Sequence, residues 1–411
     1  MKKKFLLFLI AALPALAFAT NGTWQGTGTV NDPYRIADLA DLKVLIPDDG
    51  NSNYQDKFFV LTGDIADDGT LCPIGSNGKA FEGTFEGDGH TITLNMNNSA
   101  SRDALFDCLG GKGVIRNVIV AGSVYGSAST HDEVAGICAW NYGIIDHCHN
   151  MAQATENNCT MGCAGICTKN YGTIINCWNS GTITSSESSS GGIVSKNYGI
   201  IKNCYNSGEI SGNEACGIAN SSPGPTLVNC YNSGSLSGRW LRPIISIGKC
   251  DRCYYEEGDF NTDYGTSLNA SQMTDGTLLD YLNAYASTDS TLMTWVANGQ
   301  GYPGFAPFHT HTFATEWSHD SISHWHAASC HDGSTCSWAR SDNAPHQWSS
   351  NKPVDGEAYY TCQVCGYQDN ERKTIAVTLV NVTCTLGDQA TFAFKAIAGQ
   401  ASTVDITPAQ G

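Results

Sequence analysis

Apolar and polar positions between residues 135 and 234 recur in one fixed order. Ala135-Gly136-Ile137-Cys138 returns as Ala164-Gly165-Ile166-Cys167, as Gly191-Gly192-Ile193-Val194 and, more loosely, as Ala215-Cys216-Gly217-Ile218. Asn141-Tyr142-Gly143, Asn170-Tyr171-Gly172 and Asn197-Tyr198-Gly199 follow at the same offset and lead to Cys148, Cys177 and Cys204. A fourth row keeps Cys230 but carries Ser222-Pro223-Gly224 where the others have Asn-Tyr-Gly. Asn179-Ser180-Gly181, Asn206-Ser207-Gly208 and Asn232-Ser233-Gly234 come after the cysteine. The Asn/Gly triplets are expected to be turns, because both residues tolerate positive φ.

Each period of 26 to 29 residues thus holds three short β-type runs, two Asn/Gly turns and one variable polar loop. No single period can bury its own apolar residues, so neighbouring periods must stack, and parallel pairing of equivalent strands satisfies the backbone groups. Three residues before each cysteine stands Ile145, Ile174, Ile201 or Leu227, an odd separation that a straight strand would place on opposite faces. A bend is therefore expected at Asn176, Asn203 and Asn229, in the left-handed conformation that Asn accepts. His147 takes that place in the first row.

The same order appears upstream from Phe81 to Ile92, at Leu105-Phe106 and from Val114 to Val118, which read as the first coils. Ahead of them Ile36, Leu39, Leu42 and Leu45 have helical spacing, with Asp38 and Asp41 on the other face, and predict a short helix covering the open first rung. The segment from Met273 through Leu278, Leu279, Tyr281 and Leu282 to Trp295 and Pro303 is expected to cap the other end.

The stretch from Gly191 to Gly208 closely resembles the GLUG motif of bacterial cell-surface proteins, and the resemblance repeats in register over roughly residues 20–308. It implies a right-handed parallel β-helix. GLUG repeats also accompany immunoglobulin-cleaving metallopeptidases, but the zinc-binding His-Glu-x-x-His pattern of those enzymes is absent from this chain. The expected class is all-β: a β-helix with a helical N-terminal cap over residues 20–308, a small His/Cys-rich module over 309–373 and a β-rich tail over 374–411.

Lys2, Lys3 and Lys4 precede an apolar run from Phe5 to Leu16 that closes with Ala17-Phe18-Ala19, the pattern of a secretory leader occupying residues 1–19. Its removal takes the formal charge from −17 to −20. Such an acid excess argues against nucleic-acid binding. No later segment approaches the roughly 20 apolar residues of a membrane-spanning helix. An exported, monomeric chain meeting an extracellular protein or glycan surface is expected.

Aromatic residues follow the cysteine column at Trp178, Tyr205 and Tyr231, with His149 in the first row. Strand alternation points them outward, where they either stack across strands or offer a platform to sugar rings. β-Helix hydrolases and lyases need carboxylates converging on one groove. Asp132, Glu133, Asp146, Glu156 and Glu187 fall on different loops and rungs, and Asp88 has no partner in sequence reach, so solvated acids and no catalytic residues are expected. Of the 18 cysteines, the repeated ones read as buried thiols, with Cys250–Cys253 and Cys159–Cys163 as candidate local bridges.

The module over 309–373 gathers His309, His311, His319, His324, His326, His331 and His346 with Cys330, Cys336, Cys362 and Cys365. Cys362-x-x-Cys365-Gly resembles a zinc knuckle. Cys330 and Cys336 are spaced irregularly as a second pair, leaving His346 or His331 as substitutes, so structural zinc and two disulfides both remain open. Beyond Lys373, the alternation of Ile375, Val377, Leu379, Phe392 and Phe394 predicts further strands. The function expected from the whole is a structural or adhesive surface protein without catalysis. A carbohydrate-binding module using the aromatic stripe is the first alternative, and a polysaccharide-cleaving enzyme the second.

Overall fold

The computed structural model describes residues 24–46, 53–97, 102–126, 133–157, 162–221, 226–260, 264–308, 311–321, 323–330, 340–347 and 360–369. The expected leader, the tail over 374–411 and Cys159 lie outside them. The chain is all-β, with about 48% strand and 7% helix, and its larger unit is a parallel β-solenoid of about seven turns. A smaller unit begins at His311.

The turns of the solenoid contribute strands to three parallel faces, the third of them with five strands among the described residues. On the first face Tyr34–Ile36, Phe58–Leu61, Thr84–Glu86, Val114–Arg116, Ile144–Asp146, Thr173–Ile175, Ile200–Lys202, Thr226–Val228 and Lys249–Asp251 pair in that order. Their register stacks Phe59, Phe85, Ile115, Ile145, Ile174, Ile201 and Leu227 in one buried column. Each such side chain contributes roughly 1.5–3 kcal/mol of transfer free energy. The third face stacks Phe106–Leu109, Cys138–Asn141, Cys167–Asn170, Val194–Asn197 and Ala219–Ser221.

The odd spacing of Ile and Cys is resolved by a bend with positive φ at Asn176 (55°), Asn203 (55°) and Asn229 (56°). His147 takes the same bend at φ 47°, as do Asn117 upstream and Arg252 downstream. Cys148, Cys177, Cys204, Cys230 and Cys253 therefore point inward and are buried. The backbone N–H of Cys148 meets Sγ of Cys177 at 3.4 Å, and that of Cys177 meets Sγ of Cys204 at 3.4 Å. Each thiol in turn faces the carbonyl two residues back, as Cys204 does with Lys202 at 3.1 Å.

Asparagine ladders run up the corners between faces. Asn141 donates to Asn170 and Asn170 to Asn197, both at 2.8 Å. Asn150, Asn179, Asn206 and Asn232 form a second ladder at 2.7–2.8 Å. A third follows the positive-φ bends, with Asn203 donating to Asn176 at 2.8 Å and Asn229 to Asn203 at 2.7 Å. The glycines of the Asn-Tyr-Gly triplets have a different role from the one expected. Gly172 has no positive φ. A Cβ there would lie 2.2 Å from the Gly143 carbonyl oxygen of the preceding rung, so close approach of backbones is what excludes larger residues.

Two end segments differ from expectation. The N-terminal helix is confined to Leu39–Lys43, with Asp38 as its cap, and Ile36 lies in the first strand instead. The C-terminal segment, with helices Ala270–Thr274 and Thr277–Ala286, does not simply close the last rung. It runs along the flank, burying Leu278, Leu282 and Trp295 against Ile175 and Tyr231. The ladder at the bends draws it there: Asn176, Asn203 and Asn229 donate to the carbonyls of Thr291, Met293 and Leu282 at 3.0–3.1 Å.

Candidate functional site

Trp178, Tyr205 and Tyr231 stack as the sequence suggests, with centroids 6.0 and 5.1 Å apart and rings within 7° of parallel. They point away from the tube, yet they are not a solvent-facing platform. Trp178 and Tyr231 are buried and Tyr205 is half-buried, because Trp295, Phe305 and Phe308 close over them. The Tyr231 hydroxyl donates to the Pro303 carbonyl, and burial pushes the Tyr205 phenol upward. The flank segment takes up the surface that the alternative reading, a platform for sugar rings, requires to be open.

An exposed aromatic row lies elsewhere. Tyr142, Tyr171 and Tyr198 stack at 4.9 Å, with interplanar angles of 6° and 9°. All three are exposed. The repeating Asn-Tyr-Gly is the sequence signal for it, and the tyrosine of each triplet stacks on that of the next rung. Since the ring faces cover one another, this row presents edges to solvent and stabilises the sheet by cross-strand stacking.

The acids are less scattered than their positions along the chain suggest. Glu86, Arg116 and Asp146 occupy successive rungs in register, with Asp88 beside them. Arg116 Nε approaches Glu86 at 2.6 Å, Asn117 donates to Glu86 at 2.8 Å, and the Asp88 N–H donates to it at 2.9 Å. Burial, and then the Glu86 charge, push the Asp88 carboxyl up to about 8. Glu133 and Glu156 are buried, not solvated: Glu133 pairs with Lys169 and the Trp140 indole, while Glu156 accepts from Ser185 and Ser188. Carboxylates so engaged are held as structural groups. Asp132 lies outside the described residues, and Glu187 is exposed.

The smaller unit contains a second constellation. Its sheet is formed by His311–His319, Ser323–Cys330 and Arg340–Pro345, and a short antiparallel pair, Tyr360–Thr361 with Gln368–Asp369, brackets Cys362 and Cys365. The knuckle is closed by Cys362 N–H to the Tyr367 carbonyl at 2.8 Å and Gly366 N–H to the Cys362 carbonyl at 3.0 Å. Gly366 has φ 73°, which favours glycine. Gln363 N–H donates to the Gln347 carbonyl at 2.7 Å and so ties the knuckle to the residue after His346.

One ligand atom each from His324, His346, Cys362 and Cys365 lies within 4.8 Å of the others. Cys362 Sγ is 3.8 Å from His324 Nδ1, and Cys365 Sγ is 3.5 Å from His346 Nδ1. His324, His346 and Cys362 are buried. Burial alone would raise the Cys362 thiol, but backbone hydrogen bonding around Cys365 and the neighbouring His346 outweigh it and bring it down to about 6. Of the anticipated set of Cys330, Cys336, Cys362, Cys365 and His346, the last three come together. His324 completes the cluster, while Cys336 and the side chain of Cys330 lie outside the described residues. His324 and His326, two residues apart, would share one face of a regular strand; the register shifts between them, and of the two His324 joins the cluster. Cys250 and Cys253, offered as a candidate bridge, carry free thiols.

Comparison with known proteins places this architecture among solenoids. No family model matches the chain. A stretch of 155 residues is 29% identical to halomucin of Haloquadratum walsbyi, covering 34% of this chain and 2% of halomucin. The chain therefore spans a small part of that relative. The crystal structure of a candidate immunoglobulin A1 protease from Bacteroides ovatus is similar at a TM-score of 0.51 and 20% identity, over 68% of this chain and 94% of that one. At that identity the likeness is one of fold. Among the described residues no helix is long and apolar enough to cross a membrane.

Proposed function

We propose that this chain is an exported surface protein whose GLUG-type, right-handed β-helix is a stiff, non-catalytic spacer, capped at its N-terminal end by the helix Leu39–Lys43. It would present variable loops to an extracellular protein or glycan surface. One observation carries this reading: the asparagine ladders and the buried Ile and Cys columns commit the repeated polar and apolar residues to holding rungs together. The partnered state of Glu86, Glu133 and Glu156 supports the absence of catalysis, and the halomucin likeness fits a surface role.

The test has two parts. The exported protein should be found at the cell surface or in the medium with its N-terminus at Thr20, and it should not cleave immunoglobulin A1 or acidic and neutral polysaccharides. Turnover of any of these that is lost on Glu133→Gln or Asp88→Asn substitution would overturn the reading.

A further inference from the structure

We infer that His324, His346, Cys362 and Cys365 form a closed, four-coordinate Zn2+ site that holds the C-terminal module together. A zinc ion bound to thiolate at about 2.3 Å and imidazole at about 2.0–2.1 Å in tetrahedral geometry sets its sulfur and nitrogen ligands about 3.5 Å apart. Two of the four sulfur–nitrogen separations, 3.8 and 3.5 Å, lie close to that edge length, and all four ligand atoms lie within 4.8 Å of one another.

The surroundings also suit a metal. His346 places Nε2 2.8 Å from the Asp320 carbonyl, so the proton belongs on Nε2 and the Nδ1 lone pair faces the cluster. Trp317 packs edge-on against the His324 ring at 4.7 Å and fixes its plane. A Cys362–Cys365 disulfide would account for the two sulfurs but not for the two buried imidazoles whose Nδ1 atoms converge on them. Two thiolates and two imidazoles are the donor set that zinc takes in structural sites, and four protein ligands leave no position for a catalytic water. Pairing between Cys330 and Cys336 is not needed to complete it.

The experiment uses the full chain, purified without chelator and with reductant. Elemental analysis should give one zinc per chain. Replacing zinc by Co2+ should give the visible ligand-field absorption of a tetrahedral centre with thiolate-to-metal charge transfer. His324→Ala and Cys362→Ser should each lose the stoichiometric metal, whereas Cys330→Ser with Cys336→Ser should keep it. His324→Cys, which restores a fourth donor, should recover the cobalt spectrum and so separate loss of a ligand from failure to fold. Full zinc retention in His324→Ala, zinc loss in the Cys330/Cys336 double variant, or a metal-free native chain with Cys362 and Cys365 oxidised to each other would each overturn the assignment.

Discussion

Trp295 donates its indole N–H to the side-chain oxygen of Asn203 at 2.6 Å, joining the flank segment to a rung 92 residues earlier in the chain. The same oxygen accepts from Asn229 at 2.7 Å, and the Asn203 amide donates to Asn176 and to the Met293 carbonyl at 2.8 and 3.0 Å. Both donors and both lone pairs of this one amide are therefore used. Asn203 also adopts φ 55°. One residue thus turns the strand, links three rungs and docks the segment that covers the aromatic stripe.

Asn203→Gly keeps the backbone bend and removes the four side-chain bonds, stranding the buried Trp295 N–H. Chemical denaturation should show a loss of about 2–4 kcal/mol, given roughly 0.5–1.5 kcal/mol per net bond and more for an orphaned donor. Asn203→Ala should cost about 1 kcal/mol more, because it adds the left-handed penalty. Equal stability of the two variants would remove the conformational part of this account.

The bend ladder ends at Asn229, whose Oδ1 is buried and finds no hydrogen-bond partner among the described residues. The next bend is occupied by Arg252, also at positive φ, 53°. Arg252→Asn should extend the ladder by one rung and raise stability by about 1 kcal/mol. It gives up only an exposed ion pair with Asp251 at 3.6 Å and the stacking of the guanidinium over Tyr285 at 5.1 Å. A lower denaturation midpoint in the variant would contradict the prediction.

Gly172→Ala places a methyl 2.2 Å from the Gly143 carbonyl oxygen. Overpacking against backbone should cost about 3 kcal/mol. Gly111→Ala, where nothing lies within 4 Å of the added methyl, serves as the control and should be near neutral in the same denaturation assay.

His149 stacks on Trp178 at 4.5 Å, and burial lowers its pKa to about 3 from the usual 6.5. The unfolded chain then binds the extra proton between those values. This group's contribution is complete above about pH 6.5 and is lost as pH falls towards 3. His149→Phe keeps an aromatic ring on Trp178 and should flatten the decline in urea midpoint between about pH 7 and pH 5; an unchanged slope would show that His149 titrates normally.

The solenoid was legible because the repeat states the same physics several times. Ile174 and Cys177, an odd number of residues apart, demand a bend, and Asn176 between them supplies the conformation that makes one. What escaped the sequence were relations between distant segments. Nothing in the sequence near Trp178 or Tyr231 indicates that residues 295–308 will cover them, because strand alternation gives the direction of a side chain and not what lies over it. Asn-Tyr-Gly identified turns but not the contact between Gly172 and Gly143 on adjacent rungs, nor the stacking of Tyr142, Tyr171 and Tyr198. At the metal-ligand cluster, the local spacing of Cys362 and Cys365 was readable. His324 could be placed only once its strand was aligned with the knuckle, 38 residues away.

The columns inside the tube are tested most directly by time-resolved alkylation of the reduced, native protein, with each cysteine followed by mass spectrometry. Burial denies access to Cys148, Cys177, Cys204 and Cys230, and it pushes the thiols of Cys148 and Cys177 well above the ordinary range. Exposed Cys72 should react at once, while those four stay unmodified until denaturant unfolds the solenoid and then react together. Modification of the four at the rate of Cys72, without unfolding, would contradict the stacked interior.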